Sequence, residues 1–289
     1  MIVPITAIIP AFQRIQQTLV TLKEIQDCEP YPDEIIVHVD GNQTECEKAI
    51  QSAFPDVKLL RSETSIGPGG GRNKLIQASQ NEIVASFDDD SYPIDADYFA
   101  RVQILFDKFP DASILCAAVY HQGESIEPDS KLAMWVADFI GCGCIYRRTM
   151  FLAKAGYVPL TVAYGMEEVD MALRLHEQGG KVLKSPWLRV FHDTDLKRHA
   201  DPCITAGSIA NLALLAYLRY PISLWPFGAA QCLNRIQWLL KHGRTRGILR
   251  GIGMMPAYVY SHRRFRQPLR RATVRSFVKL RRRPVPVEI

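Results

Sequence analysis

The 289-residue sequence has no C-x-x-C pair, and its seven cysteines (28, 46, 116, 142, 144, 203 and 232) are odd in number and scattered. That argues against a zinc ribbon or a disulfide framework as the organising device. Cys142 and Cys144, a C-x-C in an apolar stretch, read as small buried side chains rather than ligands. No G-K-[ST] follows the glycine-rich "IGPGGGRN", and no G-x-G-x-x-G follows the first apolar run, so Walker and dinucleotide loops are excluded. The opening "MIVPITAIIPAF" has neither a basic segment nor a small-residue cleavage site. It reads as a first strand, and a reducing cytosol is the expected compartment. Residues 202–218 and 220–234 carry no charge, but Arg219, Pro221 and Pro226 divide them. Neither piece makes a clean membrane span of about 20 residues, so packed or interfacial helices are expected.

Acids are nearly missing from the end of the chain. Residues 201–289 hold 16 lysines and arginines against Asp201 and Glu288 alone, whereas residues 1–200 hold 19 basic and 28 acidic side chains. The expected organisation is a catalytic domain over 1–200 and a helical, basic extension over 201–289. Such an extension suits anionic lipid headgroups or nucleic acid. In the basic stretch 263–283, Phe265, Leu269, Val274, Phe277, Val278 and Leu280 are interleaved. That pattern favours a membrane surface, and no nucleic-acid partner is expected.

What is present in the first 120 residues is alternation. Short apolar runs at 5–9, 34–39, 57–60, 82–87 and 113–120 are separated by stretches of helical spacing at 14–26, 45–54, 71–80 and 96–109. Strands alternating with helices predict βαβ units, an α/β fold with a mostly parallel central sheet. In such sheets ligands bind beyond the carboxyl ends of the strands. The polar residues fall there: Pro10, Ala11, Phe12 and Arg14 after the first strand, Asp40 after the second, Gly67, Arg72 and Asn73 after the third, and Asp88, Asp89 and Asp90 after the fourth. Three adjacent carboxylates repel one another, and a hard divalent cation, Mg2+ or Mn2+, is one thing that relieves the repulsion. A solvated turn with aspartate caps is the plainer alternative. Further on, Gly165 precedes an acidic first turn, Asp170 and Arg174 stand i,i+4, and Gly179 and Gly180 end a helix.

Five segments in this order resemble the family 2 glycosyltransferases of GT-A fold. "IIPAFQR" (8–14) is similar to the family's opening strand and P-x-[FYN]-x-R turn, and "IIVHVDGN" (35–42) to its second strand ending in aspartate. "SIGPGGGRNKLI" (65–76) is similar to its G-x-x-x-[AG]-R-N segment, "FDDDSYP" (87–93) to its D-x-D, and "YGMEEVDMALRLHEQG" (164–179) to its E-D-x-D-x-x-x-R helix. The resemblance covers residues 4 to about 195. It implies a metal-dependent, inverting transfer of sugar from a nucleoside-diphosphate donor, with UDP first in line, to a hydroxyl of a glycan or lipid-linked acceptor, as in polysaccharide biosynthesis. By the same resemblance Pro10 to Arg14 and Asp40 hold the base and ribose. Gly67, Arg72 and Asn73 line the diphosphate pocket, Asp88 and Asp89 face ribose and sugar, and Asp90, with Asp88 and His192, binds the metal. The base is the second acid of the E-D pair, here Glu168 where aspartate is commoner, which leaves open whether Glu168 or Glu167 reaches the hydroxyl. His192 is alternatively an ion-pair partner of Asp193 and Asp195. The loop near 120–135 is expected at the acceptor, with Trp135 and Asp138 the residues to probe. Two other readings share some features. A sugar-phosphate nucleotidyltransferase should carry its glycine-arginine loop after the first strand, where "PAFQR" stands. A non-catalytic membrane or nucleic-acid binder would use the tail and leave the acids at 88–90 and 167–168 unexplained.

Overall fold

The structure, a computed structural model, describes residues 1–153, 156–160, 162, 165–194 and 201–289. The first half is a regular alternation: β1 (Ile2–Ala11), α1 (Ile15–Gln26), β2 (Tyr31–Val39), α2 (Thr44–Ala53), β3 (Lys58–Arg61), α3 (Gly67–Ala78) and β4 (Ile83–Ser86). It continues through β5 (Ser91–Pro93), α4 (Tyr98–Lys108), β6 (Ala112–His121), β7 (Leu132–Val136), β8 (Cys144–Arg147), α5 (Arg148–Leu152), α6 (Glu167–Glu177) and β9 (Lys181–His192). The remainder is α7 (Pro202–Arg219), α8 (Trp225–Lys241), α9 (Ile248–His262), α10 (Arg271–Arg282) and β10 (Val285–Glu288).

One sheet runs β10-β7-β9-β6-β8-β4-β1-β2-β3, with β5 paired to β9. The pairings orient β1, β2, β3, β4, β6, β9 and β10 one way and β5, β7 and β8 the other, so the mostly parallel sheet expected from the alternation is present. Because side chains alternate across a strand, Ile5, Ala7 and Ile9 of β1 face one core while Ile8 faces the other. The first core is closed by α1, α2 and α4, through Leu22, Ile50 and Val102 among others. The second is closed by α3, α6, α7 and α10, through Leu75, Leu173, Leu214 and Phe277. Burial on both faces is why the strands read as unbroken apolar runs.

Three details differ from the sequence expectation. The helix expected at 71–80 begins at Gly67, inside the glycine run, because Pro68 is suited to its first turn and the Asp40 carboxylate accepts from the N–H groups of Ile66 and Gly67, at 2.8 and 3.0 Å. The interleaved apolar residues of 263–283 turn inward: Leu269, Val274 and Phe277 are buried in the second core, with Phe265 and Leu280 packed on it. That segment therefore keeps no apolar face for a membrane. Finally, β10 pairs antiparallel with β7, so the chain's end completes the sheet edge.

Arg219, the one charge in the long apolar stretch, has a buried partner. Together with Arg174 it holds Asp170, so α6 and α7 are joined by an arginine–aspartate–arginine cluster. The remaining donors reach Phe265 and Gly156 carbonyls at 2.9 and 2.6 Å. Among the described residues no helix is long and apolar enough to cross a membrane.

Candidate active site

The strand ends gather the acid row. After β4, residues 88–90 turn into β5, whose Ser91 pairs with His192 at the end of β9. That register brings His192 Nε2 to 3.1 Å from Asp90 Oδ1 and 3.9 Å from Asp88 Oδ2. From the end of β1, Arg14 Nη1 reaches Asp89 Oδ1 at 3.1 Å and also pairs with Asp90. The Phe12 N–H donates to Asp89 Oδ2 at 2.9 Å. Pro10 and Ala11 still belong to β1, while Phe12 is exposed at the crevice mouth. Burial pushes the Asp89 carboxyl up to about 7, against the Phe12 N–H and the Arg14 charge. On His192 burial opposes protonation, yet the hydrogen bond to Asp90 and the nearby carboxylates raise its pKa overall.

Asp40 and Asn73 are largely occupied with backbone groups, whereas Arg72 is occupied with side chains. Asp40 accepts from Ser65 Oγ at 2.7 Å as well as from the two N–H groups at the start of α3. Asn73 and the Tyr157 backbone exchange two hydrogen bonds, at 3.0 and 2.7 Å, which pins segment 156–160 over α3. Gly67 has φ +73°, and a Cβ there would lie 2.5 Å from the Leu160 carbonyl, so this close approach requires glycine. Arg72 is buried. Its Nε donates to Ser86 Oγ at 3.0 Å and its Nη2 pairs with Asp88. Burial opposes its charge, and Asp88 beside it holds the guanidinium ionised. The acid row is thus matched by two arginines and a histidine, an account of its charge that sequence reasoning, weighing a metal against a solvated turn, did not contain.

The two glutamates at the start of α6 have different surroundings. Glu167 is 2% exposed, lies against Gly69 and accepts from the Leu160 N–H. Burial, then the charge of Glu168, pushes its pKa well above the carboxylate range. Glu168 is half-buried. A Cβ on Gly141 would lie 2.8 Å from Glu168 Oε1 and 3.2 Å from Arg72 Nη2, so the turn 141–143 passes close against this pair. Burial raises the Glu168 pKa, and Arg72 pulls it back down.

Among the described residues a divalent cation fits one spot. Single ligand atoms of Asp88, Cys142 and His192 lie within 4.8 Å of one another. Carboxylate, thiolate and imidazole are all competent donors, and Asp90 orients the His192 ring from the side. Asp90 itself is buried between Arg14 and His192, whereas Asp88 is more open. Sequence reasoning set Cys142 aside as a buried small residue. It is buried, but its Sγ lies 3.5 Å from His192 Nδ1. The signal is the antiparallel register of β8 on β4, Ser86 against Cys144, which carries residue 142 alongside Asp88 and is legible only once that pairing is known. Trp135 and Asp138 have partners elsewhere: Trp135 packs edge-on against Phe109, and Asp138 pairs with Arg281 of α10 at 3.0 Å. Tyr164, at the head of the acidic-helix motif, and Asp195 lie outside the described residues.

Residues 6–134 match the model of a family described as "Glycosyl transferase family 2". No curated protein sequence matches the chain. Among solved structures, the mannosyltransferase PcManGT from Pyrobaculum calidifontis, in complex with GDP-Man and Mn2+, aligns at TM-score 0.60 and 12% identity, over 97% of this chain and 87% of that one. GalNAc-T7 with UDP, GalNAc and Mn2+ aligns at TM-score 0.64 and 14% identity over 89% of this chain, which spans 57% of that structure's chain. At such identities the likeness speaks for the fold, and the family match speaks for the chemistry. The region carrying the arginine turn, the glycine-rich helix start and the acid row thus matches the family 2 glycosyltransferase model, on a fold similar to that of the GT-A glycosyltransferases.

Proposed function

We propose that the chain transfers a sugar, with inversion, from a nucleoside-diphosphate donor to a hydroxyl of a glycan or lipid-linked acceptor, with Glu168 as general base. The observation that carries this reading is a line of contacts around Gly141: Glu168 on one side, Arg72 on the other, and Asp88 paired to Arg72. Glu168 rather than Glu167 is the base, because Glu167 is sealed under Gly69 with its carboxyl pushed toward the neutral form. Glu168 takes the proton of the acceptor hydroxyl. The hydroxyl oxygen attacks the anomeric carbon, and the bond to the diphosphate oxygen breaks with its electron pair leaving on that oxygen. One displacement of this kind inverts the centre. Asp88, His192 and Cys142 would hold a divalent cation, which, when bound, supplies Lewis-acid stabilisation of the leaving diphosphate. Arg14 and Phe12 line the opening in which the nucleotide would lie, while Asp40 and Asn73 act by fixing the loops around it. In this reading residues 1–200 carry the chemistry, and 201–289 buttress α6 and close the sheet.

UDP is the first donor base to try. The two similar structures carry GDP-Man and UDP, with Mn2+ in both. The test is thermal stabilisation of the purified protein by UDP, GDP and dTDP, with and without Mn2+, beside the Asp88→Asn variant. A ligand that binds only the folded state at a hundredfold excess over its Kd adds about 2.7 kcal/mol. A Mn2+-dependent shift with one nucleotide, lost in Asp88→Asn, supports the site and names the donor class. No shift with any nucleotide rejects it.

A further inference from the structure

Helix α9 is apolar on both sides. Its inner side presses on α7: Ile248 joins Ile209 and Leu239 in a small core, and a Cβ on Gly251 would lie 2.7 Å from the Ala206 carbonyl. The joint before it is equally tight, since Gly247 (φ +98°) abuts Pro202. The outer side carries Leu249, Ile252, Pro256 and Tyr260, spaced as one helical stripe and all exposed, Leu249 at 85%. A helix that is hydrophobic all round belongs in an interior, so half of α9 lacks its cover. Helix α8 adds Trp225, Leu233 and Leu240, also exposed.

The charge around these residues says what the cover is. From 202 to 287 there is not one aspartate or glutamate. Lys241, Arg246 and Arg250 lie exposed around the start of α9, and Arg263 stacks on the Tyr260 ring at 4.0 Å just beyond its end. A second copy of the chain in a two-fold contact would set this basic patch against itself. Exposed tryptophan and tyrosine beside aliphatic side chains and cations is the composition of a membrane-interface helix.

We propose that the outer faces of α8 and α9 dock the protein on an anionic lipid bilayer, with Leu249, Ile252 and Tyr260 entering the headgroup boundary and the flanking cations on lipid phosphates. This surface differs from the basic segment 263–283, whose apolar residues are used in the core. The inference does not depend on the transferase reading.

The test is co-sedimentation of the full chain with vesicles of phosphatidylcholine alone and with about one third phosphatidylglycerol, followed by the fluorescence of Trp225 and Trp238. The parent is expected on the acidic vesicles, with a blue-shifted emission and release at high salt. The double variant Leu249→Glu/Ile252→Glu, both positions being exposed and so neutral to folding, should bind at least tenfold more weakly with an unchanged melting temperature. A variant of α10, Arg275→Glu/Arg282→Glu, should retain more binding than the α9 variant. The proposal is overturned by a parent that ignores both vesicles, by a double variant that binds as well as the parent, or by greater loss in the α10 variant. It is also overturned if light scattering shows a dimer that the α9 variant dissolves, or if poly-glutamate is bound as tightly as the acidic vesicles.

Discussion

Replacing Glu168 by glutamine keeps the shape of the side chain and its place beside Gly141 and Arg72, and removes only the proton acceptor. Loss of a general base lowers kcat by about 10²–10⁴-fold, or about 2.7–5.4 kcal/mol of barrier. Glu167→Gln is the matched control, one residue away on the same helix turn. Glu167 is already pushed toward its neutral form, and glutamine can still accept the Leu160 N–H, so little changes. The expected loss stays within roughly fivefold, the worth of about one hydrogen bond. The assay is nucleoside-diphosphate release at saturating donor across a pH series. Burial raises the Glu168 pKa, so its basic form fills at higher pH than an ordinary carboxylate's, and the parent rate should climb with pH through that raised value. The limb should vanish in Glu168→Gln. In Arg72→Met it should move further up, because Arg72 is the charge that lowers the Glu168 pKa. A Glu167→Gln variant as impaired as Glu168→Gln, or an acid limb that survives in Glu168→Gln, would refute the assignment.

The other predictions concern stability and the metal. Glu167 has a folded-state pKa above the ordinary value of 4.5, so the folded protein holds its proton more tightly than the unfolded chain. That stability is complete below the ordinary pKa and is lost as pH rises through the raised one, so Glu167→Gln should gain on the parent in urea unfolding as pH increases. Asp170→Asn leaves Arg174 and Arg219 facing each other without their buried counter-charge, and should cost about 3–5 kcal/mol by thermal or urea unfolding. With Co2+ in place of Mn2+, the parent should show a thiolate-to-metal charge-transfer band that Cys142→Ser lacks. Calorimetry should find Mn2+ bound weakly alone and more tightly with UDP present.

The alternation of apolar runs and helical spacing was enough for the α/β fold, because each strand and helix is coded locally and both sheet faces are covered. Four of the five segments around the crevice were legible for the same reason, since each follows a strand, and the fifth was legible as the acidic first turn of α6. The partners of those residues were not legible, because partner choice depends on register. Cys142 meets His192 only through the β4–β8 and β5–β9 pairings. Arg219 reads in sequence as a lone interruption of an apolar stretch, and its role appears only when α7 crosses α6. The basic segment 263–283 misled in the opposite direction. An amphipathic pattern says that one face is covered, not by what, and here Phe277 and Val274 are covered by the protein's own second core. The exposed stripe of α9 lay in a stretch so uniformly apolar that no pattern marked one side as outer.

The way Arg14 and Arg72 are placed also bears on the order in which ligands can enter. Each arginine is already matched: Arg72 to Asp88, and Arg14 to Asp89 and Asp90. A lone dication reaching Asp88 and His192 would have to share that carboxylate with the buried Arg72 guanidinium, which is paired directly to it. Two cations on one carboxylate repel strongly where solvent screening is weak. A diphosphate changes the balance, because its negative oxygens offer the cation further ligands and relieve the excess positive charge at once. The arginine-matched acid row therefore favours a metal that comes with, or after, the nucleotide over one that stays resident. A Mn2+ affinity equal with and without UDP would mean that Arg72 leaves Asp88 before any donor arrives.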